Sequence, residues 1–159
     1  MSAITRARSF AALSLMLTVV LVGSMFAFST SADAATRRER IRHAVKVVAA
    51  QKGDPYKYGA AGPDRFDCSG LIYYSYRKAG FTNMPRTSDG QARFADRISK
   101  KNMRRGDLMF FYDDGGVYHV AVFLGWRKGH RWMMHAPSSG ENVHRSKPWT
   151  SQWYAGTIR

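Results

Sequence analysis

An α+β fold is predicted by the way residue patterns are distributed along the 159 residues. Apolar residues recur at helical spacing in the first half, at Ile41, Val45 and Val48, and Leu71, Ile72, Ser75, Tyr76 and Ala79 give a second helical period. From Leu108 onward they form short segments broken by Gly- and Asp-containing turns, the texture of strands joined by hairpins. Helices first and strands afterwards, with no repeated strand–helix alternation, give helices packed on an antiparallel sheet.

The chain length suits one domain with a short appendage. The appendage is expected at residues 1–34. Arg6 and Arg8 precede an apolar run from Phe10 to Phe28, and Ala32-Asp33-Ala34 supplies small residues where a signal peptidase cuts, so a secretory leader ending at Ala34 is predicted. The run is nearly long enough to span a bilayer, but Ser14, Thr18, Gly23 and Ser24 dilute it, which favours a removed leader over a stable membrane anchor. No cysteine follows the run to accept a lipid, and Arg6-Ala7-Arg8 is not a twin-arginine pair. Residues 35–159 then form the working domain, outside the cytoplasm.

Within that domain, Thr36-Arg37-Arg38-Glu39 reads as a capping box opening a helix over 37–52. Gly53, Pro55, Gly59, Gly62 and Pro63 mark a loop that delivers the chain to Asp67-Cys68-Ser69-Gly70-Leu71, where a second helix begins and then stops at Gly80. A short third helix is expected from Ser88, with Ser88 and Gln91 as its capping box. Strands are expected at Leu108 to Tyr112, Val117 to Trp126, Arg131 to Ala136, Val143 to Arg145 and Trp153 to Ile158, with turns at Asp113 to Gly116 and Lys128-Gly129. Arg105-Gly106-Asp107 spells an adhesion tripeptide but reads better as the turn entering the first of these strands.

The composition, 45% hydrophobic and 13% aromatic, excludes a disordered or collagenous chain. The net charge is +14, and +13 once Arg6, Arg8 and Asp33 are lost with the leader. Such a cation suits a polyanionic neighbour. No zinc-finger spacing or RNA-binding aromatic signature accompanies the charge, so nucleic acid is not the expected partner, and a phosphate-rich envelope polymer fits a secreted protein better.

One cysteine cannot form an internal disulfide, leaving Cys68 as a buried filler, an intermolecular linker or a reactive thiol. Its place at a helix start, where free N–H groups and the dipole favour a thiolate, together with the room left by Gly70, points to a nucleophile. The same N–H groups suit an oxyanion.

A cysteine nucleophile needs a histidine, and His43, His119, His130, His135 and His144 are the candidates. His119 lies inside a strand, on a face with Val117, Ala121 and Phe123. A three-residue hairpin loop pairing Trp126 with His130 would set His135 opposite Ala121 and diagonal to His119, able to orient its ring. His43 on a charged helix, His130 at the hairpin end and His144 among polar residues read as surface histidines. No H-E-x-x-H or comparable spacing indicates a metal.

Pro55-Tyr56-Lys57-Tyr58-Gly59, Asp67-Cys68-Ser69-Gly70-Leu71, Pro85-Arg86-Thr87-Ser88, Gly106-Asp107-Leu108-Met109-Phe110-Phe111 and His119-Val120-Ala121-Val122-Phe123-Leu124-Gly125 stand in this order. Together they resemble the motifs of the NlpC-type papain-like cysteine peptidases of bacterial cell walls, from about Asp54 to Ile158. The resemblance implies Cys68 as nucleophile, His119 as base and His135 as the third polar residue. It implies Tyr56 at the oxyanion hole and Asp67 and Ser69 beside the substrate, with no cofactor or metal. The substrate it implies is peptidoglycan, cut between the γ-carboxyl of D-glutamate and diaminopimelate or lysine.

Three positions depart from the family pattern. Tyr58 stands where relatives often carry Trp, and Ala60 and Ala121 stand for Gly, changes expected to surround the cleft and affect substrate preference. An amidase or acyltransferase using the same dyad, or a non-catalytic cationic wall-binding module, would be the alternatives.

Overall fold

A computed structural model describes residues 33, 34 and 36–158. The leader expected at residues 1–34 lies outside the described residues except for Asp33 and Ala34, which are helical. The chain divides into two units, Met1–Arg38 and Glu39–Arg159, and the account below concerns the second. Among the described residues no helix is long and apolar enough to cross a membrane.

The fold is α+β. Helix α1 covers residues 36–50, and its part from Glu39 belongs to the second unit. Thr36 is itself helical, with Asp33 and Ala34 helical before it, so the capping box predicted there does not open the helix. Ala44, Val45 and Val48 are buried and Ile41 packs against the same core, as the spacing predicts. The other helices are α2, Cys68–Lys78, and α3, Ser88–Phe94. Arg40 of α1 donates to the carbonyls of Ala79 and Gly80, placing a cation on the free carbonyls at the end of α2.

Strands β1 (Asp96–Ile98), β2 (Leu108–Asp113), β3 (Gly116–Arg127), β4 (His130–His135), β5 (His144–Ser146) and β6 (Trp153–Thr157) form one sheet in the order β1-β6-β2-β3-β4-β5. Every pairing is antiparallel. The period of two sorts the core: Leu108, Phe110, Val120, Val122 and Met134 pack with the helices, while Met109, Phe111, Ala121, Phe123 and Met133 form a second cluster with Trp153 and Ala155. The expected strands are all present. The brief strand β1 and the 3₁₀ turn Lys100–Asn102 carry too few residues to show a period and were not legible.

Two irregularities in β3 aim the residues that matter. Between Phe111↔His119 and Tyr112↔Val117 the register shifts, so Tyr118 is an extra residue. Val117 consequently packs with the helix-side core, not on the face of Ala121 and Phe123 as strict alternation predicts.

The second irregularity corrects the hairpin. Its loop is two residues, Lys128 and Gly129, closed by Arg127↔His130, and not the three-residue loop expected with Trp126 opposite His130. An even loop alone would put His135 on the wrong parity. The register shifts again between Phe123↔Met133 and Gly125↔Trp132, making Leu124 the extra residue, and Val122 pairs with Met134. Gly125, at φ +120, supplies a backbone conformation at this bulge that side chains rarely adopt. The two departures cancel, and His135 reaches the position diagonal to His119.

Candidate active site

Cys68 is the first residue of α2, and Asp67 is its cap. The Asp67 side chain accepts from the Gly70 N–H at 2.6 Å and, through its other oxygen, from the Gly59 N–H at 2.8 Å. Arg86 clamps the same carboxylate with both nitrogens, at 3.0 and 2.7 Å, and also donates to Ser69 Oγ at 3.0 Å. Burial would raise the Asp67 carboxyl, but these Arg86 and backbone N–H bonds hold it below the usual carboxylate range. Asp67 therefore ties the loop at Gly59 to the helix start, and its carboxylate oxygens are engaged within the chain. The sequence marks Arg86 only as part of a motif; the acidic Asp67 beside Cys68 is the feature that calls for a cation.

Gly70 has a different use from the one expected. A Cβ there would lie 2.0 Å from the Ala60 carbonyl oxygen, so the missing side chain admits the loop backbone against the helix and does not make room for a ligand. Gln91 also departs from expectation. Thr87 caps α3 through the Gly90 N–H, and the Gln91 amide instead donates to the carbonyls of Ser69 and Pro85 at 2.9 Å each, bracing the turn that carries Cys68.

Two hollows meet at the thiol, sharing Tyr56, Cys68 and Tyr118 in their lining. One, of about 450 Å³, is lined also by His119, His135, Glu141, His144 and Trp149. The other, of about 460 Å³, is lined by Tyr58, Asp67, Ser69, Arg86 and Thr87. Of the family departures, Tyr58 lines the cleft, whereas Ala60 faces Gly70 and Ala121 is buried in the second core cluster.

His119 and His135 are 5% and 3% exposed. His119 Nε2 and His135 Nδ1 are 3.0 Å apart, a hydrogen bond whose direction depends on the tautomers. His135 Nε2 lies 2.9 Å from Ser146 Oγ. Trp149 stacks on Phe111 at 4.3 Å and stands over both imidazoles, with centroids 5.2 Å from His119 and 5.6 Å from His135. The His144 ring is 5.0 Å from that of His135, so this histidine borders the cleft rather than belonging to an unrelated surface. His43 and His130 are exposed and line neither hollow. Ser146, Trp149 and Tyr118 had no chemical signal in the sequence, though strand parity applied one strand further would have brought Ser146 to His135.

The electrostatics correct one expectation. Burial pushes the Cys68 thiol up and Asp67 pushes it the same way, against the backbone N–H groups of Val120, Ser69 and Cys68 itself, so the helix start does not by itself yield a thiolate. Burial pushes His119 down to about 3, with His135 adding to it, and His135 down to about 4, with His144 adding and Glu141 opposing. Thiol and imidazoles are all neutral at pH 7. Tyr56 is pushed up by burial, then by Cys68, Asp67 and Tyr58, and keeps its proton to donate. Among the described residues no group of three or more His, Cys, Asp or Glu is placed to hold a metal.

Because the native histidines titrate far below their ordinary value near 6.5, the unfolded chain binds more protons between about pH 6.5 and 4. Stability is therefore expected to fall as the pH drops through that window, by about 1.4 kcal/mol per pH unit for each ring, and to flatten once the native rings protonate as well. Urea unfolding at pH 7 and pH 5 checks this: the wild type should lose about 2 kcal/mol per histidine, and folded His135→Asn about half the total. Equal stability at the two pH values would contradict the burial of neutral rings.

The sequence model of the NlpC/P60 family matches residues 53–159. The chain belongs to the NlpC/P60 family. It is 38% identical over 105 residues to a protein named probable endopeptidase p60 from Listeria monocytogenes, covering 63% of this chain and 21% of that one. The chain spans about a fifth of the length of such relatives. The NlpC/p60 domain of the peptidoglycan hydrolase SagA superposes with a TM-score of 0.66 at 30% identity, over 74% of this chain and 98% of that domain. RipD from Mycobacterium tuberculosis, described as a non-catalytic NlpC/p60 protein adapted to peptidoglycan binding, superposes at 0.63 with 27% identity, over 76% and 98%. The α+β architecture of the NlpC/P60 family is thus shared with both a hydrolase and a binder.

Proposed function

We propose that this protein is a peptidoglycan endopeptidase, exported after loss of residues 1–34, that cuts stem peptides at the γ-D-glutamyl bond to diaminopimelate or lysine. The observation that carries the reading is the His119–His135 contact at 3.0 Å in the cleft that also holds Cys68. With Nε2 of His119 engaged by His135, its Nδ1 is the nitrogen left for the thiol. Cys68 gives its proton to that Nδ1 as sulfur attacks the amide carbon, so the charged pair forms only with substrate bound. The oxyanion is held by N–H groups at the start of α2 and by the Tyr56 hydroxyl. The imidazolium then protonates the leaving amine, and a water activated by His119 hydrolyses the thioester.

The general acid must adjoin the leaving amine, which orients the substrate. The diamino acid lies in the hollow with His119, His135 and Trp149, and the glutamyl side lies in the hollow with Asp67, Ser69 and Arg86. Incubating the purified protein with wall fragments should release peptides ending in D-glutamate and new amines on the diamino acid, identified by mass spectrometry. Intact stem peptides after prolonged incubation would instead favour a wall-binding role, the role described for RipD.

The partner also includes an anionic wall polymer. Lys100, Arg127, Lys128, Arg131 and Lys147 line two adjoining hollows that share His130 and Lys147, and no carboxylate lines either one. Among the described residues the ion pairs Arg42–Glu39, Arg86–Asp67 and Arg93–Asp89 leave all five cations out. Uncompensated like charges favour a multivalent anion and are screened within about 8 Å at physiological salt. Arg127→Glu with Lys128→Glu should weaken retention on phosphate-bearing wall polymer at low salt by about tenfold, while the equal charge change Lys46→Glu with Lys52→Glu on and after α1 should weaken it far less. Equal losses would mean that net charge alone matters.

A further inference from the structure

The contacts of His135 form a directed chain: His119 Nε2 to His135 Nδ1 at 3.0 Å, and His135 Nε2 to Ser146 Oγ at 2.9 Å. A neutral imidazole carries one N–H and one lone pair, so fixing either nitrogen fixes the other. The chain therefore has two polarities. In one, His135 donates from Nε2 to Ser146, its Nδ1 accepts from His119 Nε2–H, and His119 Nδ1 is a lone pair. In the other, every proton is reversed, His119 holds its proton on Nδ1, and it cannot take one from a thiol.

We infer that Ser146 is a positioning residue for the proposed reaction, its hydroxyl, which can donate or accept, accepting from His135 Nε2–H and so supporting the tautomers that make His119 a base. This rests on the peptidase reading for its consequence, while the tautomers themselves do not. Burial gives the hydroxyl its leverage. His135 is 3% exposed, and Trp149 and His144 occupy its surroundings at centroid distances of 5.6 and 5.0 Å. Without the serine oxygen an Nε2–H in this part-buried contact would lose its acceptor within the chain, and the proton moves to Nδ1, where it donates to His119 Nε2. His119 then shifts its proton to Nδ1, facing the reaction with the wrong nitrogen protonated. The position of Ser146 follows from pairing: His135 is opposite His144 in β5, and Ser146 is two residues further along.

Ser146→Thr and Ser146→Val differ in little but the hydroxyl, and both suit a strand. Cleavage of a stem peptide by Ser146→Thr should stay within about threefold of wild type, whereas Ser146→Val should lose about 10- to 100-fold in kcat with KM little changed. In ¹⁵N spectra of histidine-labelled protein near pH 7, wild type and Ser146→Thr should show His119 and His135 both protonated at Nε2, and Ser146→Val both at Nδ1. Unchanged tautomers in Ser146→Val, or a wild type already protonated at Nδ1, would overturn the inference. If the tautomers shift as stated but wild type cuts no stem peptide, the peptidase reading fails and the proton chain stands.

Discussion

Cys68→Ala and His119→Ala are each expected to reduce wall hydrolysis by at least about 10³-fold while leaving a folded domain, and the double substitution should be no worse than either single one. The non-additivity follows from the resting state. Burial disfavours both the thiolate and the imidazolium, so neither residue holds a useful charge alone, and charge appears only when the proton passes from one to the other. Removing the base leaves a neutral thiol; removing the thiol leaves a base with nothing to activate. Folding should survive because Cys68→Ala removes a single sulfur atom at the edge of the core, and because Asp67 and Arg86 anchor the helix start independently of it. Far-UV circular dichroism with a turbidity assay on wall material checks both statements. Folded Cys68→Ala protein that keeps most of the activity would exclude the cysteine mechanism, and additive losses would mean that the residues act separately.

The site was legible where one residue type dictates the chemistry and obscure where a contact is made by ordinary residues. Cys68 stood out as the lone thiol at a helix start, and the family motifs singled out His119. The position of His135 was reached through strand parity, but by a loop one residue too long and without the Leu124 bulge. Loop length and bulges shift register equally, and a sequence reveals bulges poorly because they depend on what the strand must avoid or reach. Gly125 was the available trace of it. The α1 boundary was misplaced for a related reason: a capping box needs a chain that turns into the helix at that point, and here the backbone at Thr36 is helical already.

The sequence marks Cys68, His119 and His135 as candidates for acid–base chemistry, but not the direction in which burial moves each of them. A helix start stabilises an anion, yet that effect is small beside the removal of a thiol from water, and burial depends on what the rest of the chain lays over the site. Trp149 illustrates this. It lies in the segment between β5 and β6, a stretch with no pattern to mark it, yet its ring stands over the histidine pair by stacking on Phe111. The fold thus limits hydration of the imidazoles and holds them neutral at pH 7.

His135 is expected to act through His119 and not as a second base, which sets the order of its substitutions. His119 is 5% exposed, so when His135→Ala removes the acceptor, the Nε2–H of His119 is left buried and unpaired, or its proton moves to Nδ1 where the thiol needs a lone pair. Either outcome costs about 1–3 kcal/mol, or about 10- to 100-fold in kcat. The amide oxygen of Asn or Gln can accept from the same Nε2–H, so these variants should keep more activity than Ala, with KM little changed in all three because the loss lies in proton transfer. A second base would behave otherwise: amides cannot take a proton at neutral pH, and Asn, Gln and Ala would then be equally impaired. Steady-state kinetics on a soluble stem peptide separates the two. Full turnover in His135→Ala would reduce the machinery to Cys68 and His119, and would leave the 3.0 Å contact as packing alone.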